Sequence, residues 1–371
     1  MYVSPLLCQR KVHTRANLLP RLGWFGFFLG VSTAANAIFV NGDALVFAPG
    51  QTYNNPVTDT LTFANTKNLS DAFDNYGKIV MTGTIDANNN VLSYPYPLWM
   101  KVFNNYGTVD AANGYIGVRG NSAHKLVNKP TGIINASLDY FHIYARAQLE
   151  NYGAINFVPR VGQGQTYDSY YFNIYFNARF DNYGSTRFDS VVDGQFGSTA
   201  ATISNYGDFE ITPNGSYSTK AAYSQISGET RVNGAFSAST IDLQGGRLSG
   251  TGTVRGLRSV GDKATIAPGT EIGALTVDND LTLGGSLDIE LGSPQTGSDR
   301  VVVNGILNLN NVRLNVLLRD SSLMPLGTTY TIITANQITG EMLDPGLPSL
   351  PSGARFILEY TGTAVRLTVG Q

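Results

Sequence analysis

The chain of 371 residues contains one cysteine, Cys8, and few charged residues, 14% of the total. A lone thiol cannot form an internal disulfide, so packing and hydrogen bonding must hold the fold together. Beyond residue 37, no stretch of ten or more residues combines a helical period with capping residues. These absences exclude a disulfide scaffold and argue against helical repeats.

Residues that suit turns and strands are abundant. The chain has 41 glycines, and asparagine, serine and threonine are also frequent. This composition is typical of a β-rich protein with many turns.

The first 37 residues are predicted to be a signal peptide. Residues 22–31 form an apolar run of ten residues, and Ala35-Asn36-Ala37 matches an A-x-A cleavage site. The alternative, a transmembrane helix, needs about twenty apolar residues. We therefore expect cleavage after Ala37, no transmembrane segment in the mature chain, and a location that is extracellular, at the cell surface or periplasmic. The positive residues before the run are Arg10, Lys11, Arg15 and Arg21.

The mature chain is predicted to be acidic. Cleavage removes four of the 25 basic residues and leaves 21 against 27 acidic residues, a formal net charge of −6. Nucleic-acid binding needs clustered Lys and Arg, so a nucleic-acid partner is not expected.

A short motif ending in Asn-Tyr-Gly recurs five times. Residues 126–133 (LVNKPTGI) read as a degenerate copy, and the resulting periods of roughly 20 to 30 residues are typical of a solenoid. Short alternating runs flank each motif, which predicts strand, tight turn and strand. The motifs are FDNYG at 73–77, FNNYG at 103–107, LENYG at 149–153, FDNYG at 180–184 and ISNYG at 203–207.

The motif predicts a sharp corner between two strands. Asn and Gly tolerate positive φ, so we expect that conformation at the corner. Stacked corners would align the asparagine amides in a ladder and the tyrosines in a row. The predicted structural corners are Asn75, Asn105, Asn151, Asn182 and Asn205, and the residues predicted to fill the interior are Phe73, Phe103, Leu149, Phe180 and Ile203.

The second half resembles a known family. The ordered segments LSGTGTV (248–254), IAPG (266–269), IGALTVDNDLTLGGSLDIEL (272–291), SDRVVVNG (298–305) and LEYTGTAVRLTV (358–369) resemble bacterial autotransporter passengers and autotransporter-associated β-helix proteins. The resemblance covers about residues 226–371. It implies an all-β, right-handed parallel β-helix (a β-solenoid) of the pectin-lyase-like type, displayed or released outside the cell.

The resemblance also shapes the expected organisation. We expect a single β-helix domain at 38–371, with Asn-Tyr-Gly coils at 73–225 and passenger-like coils with a C-terminal cap at 226–371. The family continues into a β-barrel translocator, and we expect this protein to lack one, since residues up to Gln371 contain no such segment. A separately encoded outer-membrane translocator is therefore a candidate partner.

The implied fold hosts many polysaccharide-cleaving enzymes, but their catalytic patterns do not occur in this sequence. Neither His124 nor His142 stands beside an acidic pair, and no Gly-x-Ser-x-Gly, His-Glu-x-x-His or Walker motif occurs. Asp278-Asn279-Asp280 favours a turn over a Ca²⁺ site. We expect no catalytic residue, metal or cofactor.

Aromatic stretches suggest a binding surface. Residues 94–99 (YPYPLW) and 167–176 (YDSYYFNIYF) are rich in tyrosine. If the second stretch fills the interior, Tyr171 and Phe176 point inward. If it binds a ligand, the candidate contacts are Tyr167, Tyr170 and Tyr175.

The sequence favours an exported, non-enzymatic structural and adhesive protein, with surface glycans or host-surface components as candidate partners. The alternative is a polysaccharide-binding or polysaccharide-cleaving β-helix protein on the same scaffold.

Overall fold

The computed structural model describes residues 37–40, 52–55, 60–63, 72–81, 84–85, 91–93, 98–100, 102–111, 115–118, 122–137, 140–159, 170–319, 324–343, 346–350 and 353–371. All of them belong to one compact unit, residues 37–371. Residues 1–36 of the predicted signal peptide (1–37) lie outside the described residues, as does Tyr167, and Ala37 is the first residue of a strand. Within the described ranges, no helix has the length and apolar character to cross a membrane.

The described residues form strands joined by turns. In chain order the strands are β1 (Ala37–Val40), β2 (Thr52–Asn55), β3 (Thr60–Phe63), β4 (Ala72–Asn75), β5 (Lys78–Met81), β6 (Thr84–Ile85), β7 (Val91–Ser93), β8 (Leu98–Met100), β9 (Val102–Asn105), β10 (Thr108–Ala111), β11 (Tyr115–Val118), β12 (Lys125–Asn128), β13 (Ile133–Ala136), β14 (Tyr140–Ile143), β15 (Gln148–Asn151), β16 (Ala154–Phe157), β17 (Tyr170–Ile174), β18 (Arg179–Asn182), β19 (Ser185–Phe188), β20 (Val191–Gly194), β21 (Thr202–Asn205), β22 (Asp208–Ile211), β23 (Ser216–Thr219), β24 (Ala222–Gln225), β25 (Glu229–Val232), β26 (Ala235–Gly250), β27 (Thr253–Pro268), β28 (Ala274–Val277), β29 (Leu281–Leu283), β30 (Ser286–Leu291), β31 (Arg300–Leu309), β32 (Arg313–Leu318), β33 (Thr329–Thr339), β34 (Arg355–Tyr360) and β35 (Ala364–Gly370).

The strands stack in three parallel ladders. From β9 to β23, each strand pairs in parallel with the third strand after it, so one coil contains three short strands. Ladder A contains β4, β9, β12, β15, β18, β21 and β24; ladder B contains β5, β10, β13, β16, β19, β22 and β25; ladder C contains β8, β11, β14, β17, β20 and β23. The prediction of an all-β stack of parallel coils is confirmed.

The later coils use longer strands. β26 and β27 have 16 residues each, and each bends through a whole coil so that it joins all three ladders. β33 pairs antiparallel with β35, which pairs antiparallel with β34. This antiparallel group covers the edge that β33 would otherwise expose.

Alternation along each strand builds the interior. Many strands show the burial pattern of every second residue inward, for example β15 and β16. The inward positions predicted before the corners are buried at Phe103, Leu149, Phe180 and Ile203. That prediction is therefore confirmed for these four; the side chain of Phe73 lies outside the described residues.

The corner glycines are required for a reason other than the one expected. Neither the five corner asparagines nor the glycines at 107, 153, 184 and 207 adopt a positive φ, so the predicted conformation is wrong. Instead, a Cβ at any of these four glycines would lie 2.0–2.2 Å from the carbonyl oxygen of the corner glycine one coil below. The glycine is needed because stacked backbones approach too closely to admit a side chain.

Candidate functional site

The corner asparagines form one continuous row of hydrogen bonds. The Nδ2 of each donates to the side-chain oxygen of the next coil's residue at 2.7–2.9 Å, in the order Asn75, Asn105, Asn128, Asn151, Asn182, Asn205 and Gln225. The structure thus places the five predicted corners in one row and inserts Asn128, from the degenerate copy, between the second and third.

Each asparagine amide in the row makes a second hydrogen bond. Nδ2 also donates to a backbone carbonyl in the next coil, for example from Asn151 to Ser185 and from Asn182 to Asp208, both at 2.8 Å. All seven side chains of the row are fully buried. Their polar groups are occupied within the protein, so the row stabilises the stack and is not a ligand site.

The corner tyrosines stack on the outside. Tyr76 lies 4.5 Å from Tyr106, Tyr152 lies 4.8 Å from Tyr183, and Tyr183 lies 4.6 Å from Tyr206, with nearly parallel rings. Lys129 replaces tyrosine in the degenerate copy and lies over the Tyr106 ring at 5.7 Å. Because most ring faces are covered by neighbours, this row presents edges and hydroxyls rather than faces.

A second aromatic group lies on the outer face of ladder C. We call it the aromatic platform; its members are Tyr140, His142 and Tyr144, on β14 and in the turn after it, and Tyr171, Asn173 and Tyr175, on β17 and directly after it. Register pairs Tyr140 with Tyr171 and His142 with Asn173. The rings of Tyr140 and Tyr171 stack at 5.1 Å, and those of Tyr144 and Tyr175 at 4.5 Å.

His142 and Asn173 fill the space between the two tyrosine pairs. His142 is only 5% exposed and Asn173 only 1%. Nδ1 of His142 lies 2.6 Å from the Tyr144 hydroxyl, and Nε2 lies 3.1 Å from Asn173 Nδ2. Burial lowers the pKa of His142 to about 4, so the imidazole is neutral at pH 7. Asn173 Oδ1 has no hydrogen-bond partner among the described residues.

Two phenylalanines flank the platform and face solvent. Phe176 is 65% exposed and stacks loosely on Tyr175 at 6.1 Å; Phe196, in the turn after β20, is 63% exposed and meets Tyr171 edge-on at 5.4 Å. Phe176 has a φ of +43°, a conformation that bulky residues rarely adopt. Both rings offer free apolar surface to a partner.

The predicted ligand contacts have different outcomes. Tyr175 belongs to the platform and is half-buried, and burial followed by the nearby Tyr144 raises its pKa. Tyr167 lies outside the described residues. Of Tyr170 only the backbone is described, and it pairs with Val192.

The expected inward residues of this stretch are wrong. Phe172 and Ile174 are fully buried. Tyr171 lies in the outward row with Asn173, and Phe176 is exposed in the turn that follows. Tyr171 therefore lies on the face opposite to the one expected, whereas Phe176 is exposed because β17 ends at Ile174 and the chain turns before the alternation reaches it.

Sequence reasoning missed three members of this region: Tyr140, Tyr144 and Phe196. For Tyr140 and Tyr144, a repeat in the sequence could have identified them. Residues 140–144 read YFHIY and residues 171–175 read YFNIY, and each ends seven residues before a corner asparagine. This second repeat predicts two matching strands in adjacent coils; Phe196 belongs to no such repeat.

The acidic segment 278–280 is a turn. Asp278 pairs with Arg255 at 2.7 Å, Asp280 accepts the backbone N–H of Ile306 at 2.7 Å, and Asn279 accepts that of Gly256 at 2.6 Å. In the part of the chain that the structure describes, no three His, Cys, Asp or Glu side chains are grouped to hold a metal ion.

No protein-family model matches the chain, and no curated protein matches it.

Proposed function

We propose that the protein is an exported, right-handed parallel β-helix of the autotransporter-passenger type that acts as a structural and adhesive protein at or outside the bacterial cell surface. Its contact surface is the aromatic platform with Phe176 and Phe196, and its partner is a surface glycan or another cell-surface component. It acts by binding and not by catalysis.

The observation that carries the proposal is the exposure of Phe176 and Phe196 on consecutive coils beside stacked tyrosines. Exposed apolar surface of this kind commonly marks an interaction site. Flat aromatic rings combined with hydroxyl groups suit sugar rings, which have apolar faces and polar edges.

The architecture supports the structural part of the proposal. Three parallel ladders and a buried amide row give a stiff stack held without disulfides. Right-handed winding is the hand that parallel crossover connections take in nearly all proteins. The charge pattern and A-x-A site at residues 1–37 support export.

The test is adhesion of a double variant, Phe176→Ser with Phe196→Ser. We expect retention on polysaccharide-coated surfaces and on intact cells to fall at least tenfold, with little change in thermal unfolding. The matched control is Leu317→Ser with Leu326→Ser, two leucines that are each 55% exposed elsewhere in the described structure. Equal retention by both double variants contradicts the proposed contact surface.

A further inference from the structure

A cavity of about 500 Å³ opens on the outer side of ladder C near the C-terminal end. It lies between the start of β31, the loop that joins β30 to β31, and the start of β33. One guanidinium group, of Arg300, and six hydroxyl side chains line it: Thr296, Ser298, Thr328, Thr329, Tyr330 and Thr331. Its size falls within the range of small-molecule sites.

The loop over the cavity is held in shape by its own hydrogen bonds. Gly292 N–H donates to the Gly297 carbonyl at 2.9 Å, and Gly297 N–H donates to the Ser293 carbonyl at 2.9 Å. Leu291 and Ser298 form an antiparallel bridge at its base. A ligand therefore meets a preformed wall and loses less free energy in ordering it.

Arg300 forms no ion pair with a described residue, and neither does Arg313 on β32, whereas Arg255 and Arg319 each form one. Arg255 pairs with Asp278 at 2.7 Å, and Arg319 pairs with Glu290 at 2.6 Å. Among the described lining residues, Arg300 carries the only formal charge.

The acid next to Arg300 is engaged elsewhere. Asp299 is buried and accepts the backbone N–H groups of Gly273 at 2.8 Å and Glu290 at 2.9 Å. Its carboxylate is therefore directed at the backbone and does not neutralise the guanidinium. The positive charge in the cavity remains available to a ligand.

We propose that this cavity binds a small hydroxylated carboxylate. A guanidinium group recognises a carboxylate through two parallel hydrogen bonds. The surrounding hydroxyls can donate to and accept from ligand hydroxyls. This site is separate from the aromatic platform and does not depend on the proposed adhesive function.

The experiment is isothermal titration calorimetry of the full chain with three six-carbon probes: gluconate, sorbitol and hexanoate. Gluconate carries both the charge and the hydroxyls, sorbitol only the hydroxyls, and hexanoate only the charge. We expect gluconate to bind at least tenfold more tightly than either of the others. Hexanoate or sorbitol binding as tightly as gluconate, or no gluconate binding, overturns the proposal.

Two variants assign the binding to Arg300. Arg300→Gln is expected to weaken gluconate binding about tenfold or more, because it removes a charge-assisted pair. Arg300→Lys keeps the charge without the planar fork and should be intermediate. The control is Arg313→Gln on β32, outside the cavity, which should bind like the parent. Equal affinities for Arg300→Gln and Arg313→Gln overturn the assignment, provided that thermal unfolding shows both to be folded.

Discussion

In residues 72–232 the interior contains many phenylalanine and tyrosine rings, whereas in residues 235–371 leucine, isoleucine and valine dominate it. The rings of the first region contact one another through several coils, as in the stacked pairs Phe157–Phe188 at 4.6 Å and Phe188–Tyr217 at 4.6 Å. The second region relies on branched aliphatic side chains, for instance Leu287 and Ile289 on β30.

The corners differ as well. In the first region, asparagine occupies the corner between ladder A and ladder B. This row ends at Gln225, whose Nε2 donates to the Ser227 carbonyl of its own coil at 2.8 Å. The next residue in register is Leu243. From Gly228 onward the described corner glycines include left-handed ones, such as Gly228 at φ +70° and Gly246 at φ +73°.

The comparison shows two solutions to one problem. Every coil must satisfy backbone groups where the chain turns from one ladder to the next. A side-chain amide does so in the first region. The corner glycine first takes a positive φ at Gly228, in the coil of the last amide, Gln225, and Gly246 keeps it in the next coil, where Leu243 replaces the amide. Substitutions that are equivalent by position should therefore have unequal effects in the two regions.

The largest difference is expected from the interior. Phe172→Ala should lower the free energy of unfolding by about 3–5 kcal/mol, because its ring meets four others at 5.1–5.6 Å. Leu287→Ala, in the second region, should cost about 2–4 kcal/mol. Chemical denaturation measures both. A greater loss for Leu287→Ala would contradict the view that ring contacts add to the first region's stability.

A smaller loss is expected from the amide row. Asn151→Ala leaves the Nδ2 of Asn128 and the Oδ1 of Asn182 without their buried partner, and should cost about 2–4 kcal/mol. The control is Asn135→Ala. Asn135 lies in a partly exposed outer row and donates to Asp110 at 2.8 Å, so its loss should cost less than about 1 kcal/mol. Equal losses of unfolding free energy for the two variants would mean that burial of the asparagine row adds nothing to stability.

One buried group in each region, His142 in the first and Asp299 in the second, should change stability in opposite directions as the pH falls. His142 has a pKa of about 4 when folded and 6.5 in its ordinary state. The unfolded chain therefore binds its proton first, and stability falls by about 2–3 kcal/mol as the pH drops from 6.5 to 4.

Asp299 should have the opposite effect, so that its protonation stabilises the fold as the pH falls. Burial raises its pKa from 3.8 to about 6. Its favourable contribution is complete below pH 3.8 and is lost as the pH rises through 6.

Unfolding measured across pH 4 to 7 tests both residues. His142→Asn, which copies the residue at the matching position of the next coil, should remove the loss in acid. Asp299→Asn should make stability fall more steeply as the pH drops, because the opposing contribution is gone. Parallel pH profiles for the parent and both variants would refute these assignments.

The smallest effect concerns Phe176. Glycine accepts a φ of +43° without strain, so Phe176→Gly should raise the free energy of unfolding by about 0.5–1 kcal/mol while weakening adhesion. Phe196, which is similarly exposed and has no positive φ, provides the control: Phe196→Gly should weaken adhesion without stabilising the fold. A destabilised Phe176→Gly protein would show that the ring supports the fold.

The repeat made the stacking of coils predictable. Asn-Tyr-Gly identifies the corner, and Asn128 could be placed because its segment keeps the asparagine and glycine after losing tyrosine. The conformation at the corner could not be inferred, because positive φ and close backbone approach both demand glycine. Only the distance between coils separates these two causes.

The candidate site was less predictable. In a stretch as aromatic as 170–176, both faces of the strand are apolar, so alternation does not tell which face is inside. Which residues of β17 point inward becomes clear only when Phe172 is aligned with Phe141 in the coil below. The exposure of Phe196 depends on how its turn folds back toward Tyr171, and no local pattern encodes that.

The asparagine row also bears on how such a protein can change its length. Each internal member donates to the coil after it and accepts from the coil before it, so all the internal links are alike. Duplicating or deleting one whole coil between Asn105 and Asn205 would restore the same link and leave no amide unmatched. Gene-level gain or loss of coils is therefore nearly neutral for this row, whereas a change of part of a coil would break it.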